Sequence, residues 1–131
     1  MPLTFRDALR IAMALGGVEE ATSYGTPAIK IGGKLVARLK EDGDSLVVGT
    51  TFEERAEMMD AEPKVYYVTD HYLNYPWVLV RLSKAHADAL RDLLGRSLRL
   101  AVAGGGTRRK GRERGGSVNA PLGDYGWVSG R

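Results

Sequence analysis

The side chains that could carry acid–base catalysis are few. The chain has no cysteine and only two histidines, His71 and His86, so disulfides, thiol nucleophiles and zinc–thiolate sites are excluded. His71 follows Asp70, but two neighbours in a loop need not face each other, and a general base must be oriented by its partner. The Asp-His pair is therefore weak support for catalysis, and His86 has the position of a structural residue at the start of a helix.

The acidic and glycine-rich segments do not indicate a metal or phosphate site either. Glu41, Asp42 and Asp44 surround Gly43, an arrangement that suits a tight turn better than a metal cage. The glycines at 104–106 follow a helix, whereas phosphate-binding glycines precede one. We therefore expect a protein without enzymatic activity, metal or cofactor.

Basic side chains are concentrated in the stretch SYGTPAIKIGGKLVARLK, residues 23–40. If this stretch forms a hairpin with one apolar face, its basic residues point to the other face. A later strand adds an aromatic ring and a further arginine to that face. The resulting basic outer face would comprise Lys30, Arg38, Lys40, Trp77 and Arg81, with Lys34 at its rim. Basic side chains neutralise phosphates and an aromatic ring can stack on a base, so this face is a candidate nucleic-acid site.

Two other interpretations of the same face remain open. Long basic side chains often shield an exposed sheet face, and Trp77 would then pack beneath them. Alternatively, the apolar residues of the face form a patch that a second subunit or the chain's own tail covers. That patch would comprise Val36, Val47, Trp77 and Leu79.

The net charge of +3 is unevenly distributed along the 131 residues. Residues 1–103 hold 13 basic and 14 acidic side chains, whereas residues 104–131 hold 6 basic and 2 acidic ones. We therefore divide the chain into a nearly neutral domain, 1–103, and a Gly/Arg-rich basic tail, 104–131. Arg108, Arg109 and Lys110 of the tail could add affinity for DNA that does not depend on base sequence; a tail that only improves solubility would have the same composition.

The hydrophobic pattern predicts three helices and five strands. A helix begins after Thr4, three short strands fill residues 28–50, and a second helix with a capping box begins at Thr51. Two more strands at 65–69 and 76–82 precede a long helix, 84–103. The order α-β(3)-α-β(2)-α predicts an α+β fold of two layers, one antiparallel sheet with helices on one face.

The register of the first hairpin follows from its apolar residues. A three-residue loop, Gly32 to Lys34, would pair Ile31 with Leu35 and Ile29 with Ala37 on one apolar face. The next turn, Asp42-Gly43, is a type I′ signal that pairs Leu39 with Leu46 and Ala37 with Val48.

No segment resembles a targeting or membrane-spanning sequence. Arg6, Asp7 and Arg10 interrupt the first apolar stretch, which is typical of an amphipathic helix and not of a signal peptide. No apolar run approaches the roughly 20 residues that a membrane span requires. These observations, with the lack of cysteine, predict a cytoplasmic protein.

Residues 3–103 resemble the MmcQ/YjbR-like family of small bacterial proteins. The resemblance rests on Ser23-Tyr24-Gly25-x-Pro27, on Lys30 with Gly33-Lys34, and on His71-Tyr72 followed by Tyr75-Pro76-Trp77. The basic tail is not part of the family pattern.

The resemblance implies a fold similar to secretion chaperones and DNA binding through a double-wing arrangement, with no established enzymatic activity. By position, Lys30, Lys34, Arg38 and Arg81 would be basic contacts, with Tyr24, Tyr75 and Trp77 as aromatic neighbours. We expect DNA as the partner, bound with weak sequence selectivity. The alternative is a protein-interaction or chaperone-like module, either a homodimer or a receptor for a partner segment on the open sheet face.

Overall fold

The structure is a computed structural model that describes residues 2–105. The predicted tail contacts Arg108, Arg109 and Lys110 lie outside the described residues.

Six strands form one antiparallel sheet, and three helices accompany it. The elements are α1 Phe5–Leu15, β1 Glu19–Ser23, β2 Thr26–Ile31, β3 Lys34–Leu39, β4 Ser45–Gly49, α2 Phe52–Ala61, β5 Tyr66–Tyr67, β6 Trp77–Arg81 and α3 Ala87–Gly105. The strand order in the sheet is β1-β2-β3-β4-β6-β5. This arrangement confirms the α+β prediction of one antiparallel sheet.

One strand, β1, was missed by the sequence analysis. It pairs with β2 from Glu19 opposite Lys30 to Ser23 opposite Thr26. Because β1 is an edge strand with mostly exposed or half-exposed side chains, its sequence lacks the apolar run that identifies an internal strand. The observed order is therefore α-β(4)-α-β(2)-α.

Side-chain caps fix where the first two helices begin. Thr4 Oγ1 accepts from Asp7 N while Asp7 Oδ2 accepts from Thr4 N, a complete capping box. At α2, Thr51 Oγ1 accepts from Glu54 N as predicted. The Glu54 carboxylate, however, accepts from Arg96 Nε of α3 at 3.0 Å, so this cap ties two helices together.

The main hydrophobic core lies between the helices and one face of the sheet, which we call the inner face. Residues of α1 and α3 pack there against the central strands. Its fully buried members include Ala8, Ala12, Ile29, Ala37, Leu46, Val48, Val78, Val80, Leu90 and Leu94. Burial of this apolar surface is the main stabilising contribution to the fold.

A β-bulge in β3 determines which side chains lie on each face of the β2–β3 hairpin. Ile29 pairs with Ala37 as predicted, but Lys30 pairs with Leu35 and Ile31 with Lys34, because the register shifts between Ile29 and Lys30. The predicted pairing of Ile31 with Leu35 is therefore wrong, and the loop has two residues. Val36 is the extra residue of the bulge, and it is buried in the main core.

The next turn keeps the predicted pairing but not the predicted turn type. Leu39 pairs with Leu46 and Ala37 with Val48. Gly43 has a φ of 76°, but the only non-glycine residue with positive φ in the described chain is Tyr24. A type I′ turn at Asp42-Gly43 is thus excluded. Asp42 instead closes a longer turn by accepting from the backbone N–H groups of Asp44 and Ser45, each at 2.9 Å.

Arg55 of α2 anchors the loop between β5 and β6. Its guanidinium donates to the carbonyl oxygens of Leu73 at 2.9 Å and Tyr75 at 2.8 Å, and to those of Tyr72 and Trp77. The residue is buried, and burial lowers the pKa of its guanidinium, which still stays charged in a protein. Four carbonyl acceptors compensate the buried charge and fix the loop on the sheet.

None of the helices in residues 2–105 is both long and apolar enough to cross a membrane.

We expect Arg55→Met to lower the free energy of unfolding by roughly 3 kcal/mol, because four carbonyl groups lose a charged donor. Urea unfolding of the variant measures this change. The matched control is Arg91→Met on the exposed side of α3, which should change stability by less than about 0.5 kcal/mol. Equal effects of the two substitutions would contradict the anchoring role.

Candidate nucleic-acid interface

Three lysines of the predicted site lie along the β2–β3 hairpin. Lys30 pairs with Leu35, whose side chain packs on the sheet face away from the helices, so Lys30 is on this outer face and is half-buried. Lys34 is exposed at the first position of β3, and Lys40 is half-exposed in the turn after β3. Lys30 and Lys40 thus agree with the predicted basic surface. Lys34 pairs with Ile31, whose side chain packs on the main core, so Lys34 lies on the inner side of the hairpin loop and not on the outer face.

The guanidinium of Arg38, in contrast, is not exposed to solvent on the outer face. It is 4% exposed; its Nη2 donates to Glu41 Oε2 at 2.8 Å and its Nη1 to Tyr72 Oη at 2.9 Å. The expectation that this guanidinium is presented on the outer face is wrong, because the 3₁₀ turn Asp70–Tyr72 brings Tyr72 onto it. Burial raises the pKa of Tyr72, an effect that Arg38 only partly offsets, so the phenol stays protonated.

Trp77 is also buried, at 8% exposure. It forms a second, smaller apolar cluster on the outer face with Val47 and Leu79, and Leu35, Tyr67 and Tyr72 pack against them. The ring is therefore not an open stacking platform. The predicted apolar patch is wrong in two respects: Val36 belongs to the inner core, and the chain's own aromatic side chains already cover Val47 and Leu79.

Arg81 lies at the end of β6, apart from the β2–β3 hairpin. Its Cζ atom lies 4.0 Å from the centroid of the Tyr67 ring, and its Nη1 donates to Lys64 O at 3.2 Å. The side chain is half-buried. The Tyr67 ring and the backbone carbonyl thus fix the orientation of this guanidinium.

Two tyrosines of the predicted site are strongly exposed. Tyr24 is 73% exposed in the β1–β2 turn, where it and Gly25 both have positive φ, 54° and 80°. The Arg38 Cζ atom lies 5.3 Å from the centroid of the Tyr24 ring. Tyr75 is 52% exposed in the loop that Arg55 anchors.

The structure thus brings Tyr24, Arg38 and Lys40 together at one end of the outer face. Lys30 lies on the same face, two residues along β2 from Ala28, which pairs with Arg38. Lys34 is at the opposite end of the β2–β3 hairpin, and Tyr75 is in the β5–β6 loop.

Charge is segregated along this part of the chain. Residues 21–40 include four basic side chains and no acidic one, whereas Glu19 and Glu20 precede them and Glu41, Asp42 and Asp44 follow. In the sheet, Glu19 of β1 lies opposite Lys30. The pKa of Glu41 is lowered, first by a backbone hydrogen bond at its own residue and then by Arg38. Glu41 therefore stays ionised and neutralises the buried guanidinium.

Arg55, Tyr72 and Glu41 are the positioning residues that sequence reasoning missed. Tyr72 was noted only within the family motif, and Glu41 only as a turn residue. Arg55 occupies a short helix of mixed polarity, and an arginine there usually faces solvent. The pattern gave no signal that Arg55 contacts a loop some 20 residues away.

The two histidines lie on the surface, and His86 Nε2 is 4.0 Å from Glu62 Oε1. His71 is exposed, and its ring meets the Tyr72 ring edge-on, with 4.6 Å between centroids. Within residues 2–105, no group of three or more histidine or acidic side chains is placed to hold a metal ion.

Comparison with known proteins agrees with the fold. A crystal structure of Deinococcus radiodurans protein DR2400, which carries the family domain DUF419, is 23% identical; the similarity covers 82% of this chain and 83% of that one with a TM-score of 0.66. No curated protein matches the sequence. The YjbR family profile matches residues 13–100, which is well over half of the chain. The chain therefore belongs to the YjbR family.

Proposed function

We propose that this YjbR-family chain is a non-enzymatic binding protein whose ligand is DNA, held by the β2–β3 hairpin. The observation that carries the proposal is the charge of residues 21–40: four basic side chains and no acidic one, with Lys30 and Lys40 half-exposed on the outer face and Lys34 exposed at the hairpin loop. Because residues 1–103 are close to neutral as a whole, affinity for a polyanion must come from such local segregation.

The lysines act as phosphate contacts in this proposal. Each ammonium group that neutralises a phosphate releases a condensed counterion, so binding weakens as the salt concentration rises. Phosphate contacts set position and carry no sequence information, which makes weak sequence selectivity the expected result. Arg38 has a different role: it is buried on Glu41 and Tyr72 and supports the Tyr24 ring.

The basic tail would strengthen the same binding. Arg108, Arg109 and Lys110 belong to a segment of 28 residues with 6 basic and 2 acidic side chains. Such a segment adds salt-sensitive affinity with no requirement for a fixed geometry.

We expect the double variant Lys30→Glu/Lys34→Glu of the full chain to bind labelled DNA at least about 10-fold more weakly at low salt, with a smaller dependence of affinity on salt concentration. Fluorescence anisotropy at several salt concentrations measures both quantities.

The matched control for this variant is Lys64→Glu/Lys84→Glu, which makes the same change of charge at two exposed lysines outside the hairpin. It should keep most of the affinity. If both double variants weaken binding equally, the hairpin is not the site, and unchanged binding by the first variant excludes it outright.

A second candidate function is the binding of a protein partner or a second copy of the chain. It is favoured by three exposed apolar residues that contact Arg55: Phe52, Leu73 and Tyr75, at 50%, 49% and 52% exposure. The Phe52 ring centroid lies 5.0 Å from Arg55 Cζ, and Arg55 donates to the carbonyls of the other two residues. Exposed aromatic residues held on a rigid loop are typical of protein contacts.

If this patch forms a homodimer, Leu73→Ser should shift the sedimentation coefficient of the protein to that of a monomer. Leu100→Ser, at an exposed leucine of α3, is the control and should leave the assembly unchanged. A wild-type protein that sediments as a monomer at all concentrations would contradict the homodimer.

A further inference from the structure

Tyr24 occupies a backbone conformation that is unfavourable for a tyrosine. Its φ of 54° lies in the left-handed region, and it is the only non-glycine residue with positive φ among residues 2–105. Glycine, asparagine and aspartate are the residues that a two-residue hairpin turn of this type prefers. A bulky side chain there destabilises the turn, so the turn itself does not explain the tyrosine.

The main core does not explain it either. The residue is 73% exposed. Its ring lies against the Arg38 guanidinium, whose Cζ atom is 5.3 Å from the ring centroid. Arg38 is held by Glu41 and Tyr72, while its buried Nε has no hydrogen-bond acceptor among the described residues. A guanidinium fixed on two sides thus supports one side of an exposed ring, an arrangement that orients the ring before any ligand arrives.

Two lysines lie on either side of Arg38 along the hairpin. Lys40 follows Arg38 by two residues, and Lys30 follows Ala28, the strand partner of Arg38, by two residues in the opposite direction. Two residues of a strand span about 7 Å. Basic residues on either side of the guanidinium that supports the ring can serve phosphates next to a base stacked on that ring.

From this arrangement we infer that Tyr24 is a base-stacking residue and that the preferred ligand is single-stranded DNA. This inference rests on the proposed DNA binding and specifies that the preferred DNA is single-stranded. Bases of a duplex are stacked on each other, whereas an unpaired base offers its face to an exposed ring. Lys30 and Lys40 contact the neighbouring phosphates, and Arg38 acts as a positioning residue below the ring.

The test is fluorescence anisotropy of the full chain with a labelled oligothymidylate and with a duplex of equal length. Tyr24→Asn should weaken binding to the single strand by about 5- to 150-fold, the range for one stacked base, and leave duplex binding within about 2-fold of the wild type. Tyr24→Phe, which keeps the ring, should bind like the wild type. Phe52→Asn is the control at an exposed aromatic residue outside the predicted nucleic-acid site and should retain single-strand affinity.

Thermal unfolding supplies an independent readout. Because asparagine tolerates positive φ better than tyrosine, Tyr24→Asn should unfold at a temperature equal to or higher than the wild type. A lower unfolding temperature would overturn the assignment of Tyr24 as a strained residue kept for binding.

The outcomes separate this inference from the proposed function. If Tyr24→Asn binds the single strand as tightly as the wild type while Lys30→Glu/Lys34→Glu still loses affinity, stacking is refuted and DNA binding stands. If the wild-type chain binds neither oligonucleotide, both are refuted.

Discussion

The arrangement of side chains on the outer face depends on the hydrogen bonds that Arg55 donates to the β5–β6 loop. Its guanidinium, buried under the β5–β6 loop, donates to four carbonyl groups of residues 72–77. These bonds place Tyr72 over the sheet, where its hydroxyl accepts from Arg38. Arg38 in turn supports the Tyr24 ring. Helix α2 is thus connected, through the side chains of Arg55, Tyr72 and Arg38, to the Tyr24 ring in the β1–β2 turn.

Burial divides the basic residues of this domain into two groups with different roles. Arg55 and Arg38 are 8% and 4% exposed, and their charges are compensated by carbonyl groups and by Glu41. Removing such a partner would leave a buried charge, which is costly. Lys30, Lys34 and Lys40 retain exposed surface and can approach a polyanion. Arginine suits the first role because its planar group offers five donors, whereas lysine carries a compact, strongly hydrated charge.

Sequence reasoning predicted the layers of the fold and the outward position of Lys30 and Lys40, because both follow from alternation of apolar and polar residues over several positions. It did not predict the side of Lys34, which pairs with Ile31 across a two-residue loop. It missed β1, whose edge position removes that alternation, and it misassigned Val36, because a bulge adds one residue without any change in composition. The burial of Arg38 and Trp77 depends on the β5–β6 loop, which is over 30 residues from Arg38 along the chain. No local pattern encodes such a contact.

Binding at the hairpin can be mapped by titrating the isotopically labelled full chain with a single-stranded oligonucleotide and following the backbone amide chemical shifts. We expect the largest shift changes within residues 21–40, at Tyr24, Lys30 and Lys40, with smaller changes at Tyr72. Changes concentrated on Leu73 and Tyr75, or on the helices, would contradict the account and would indicate that the hairpin is not the binding surface.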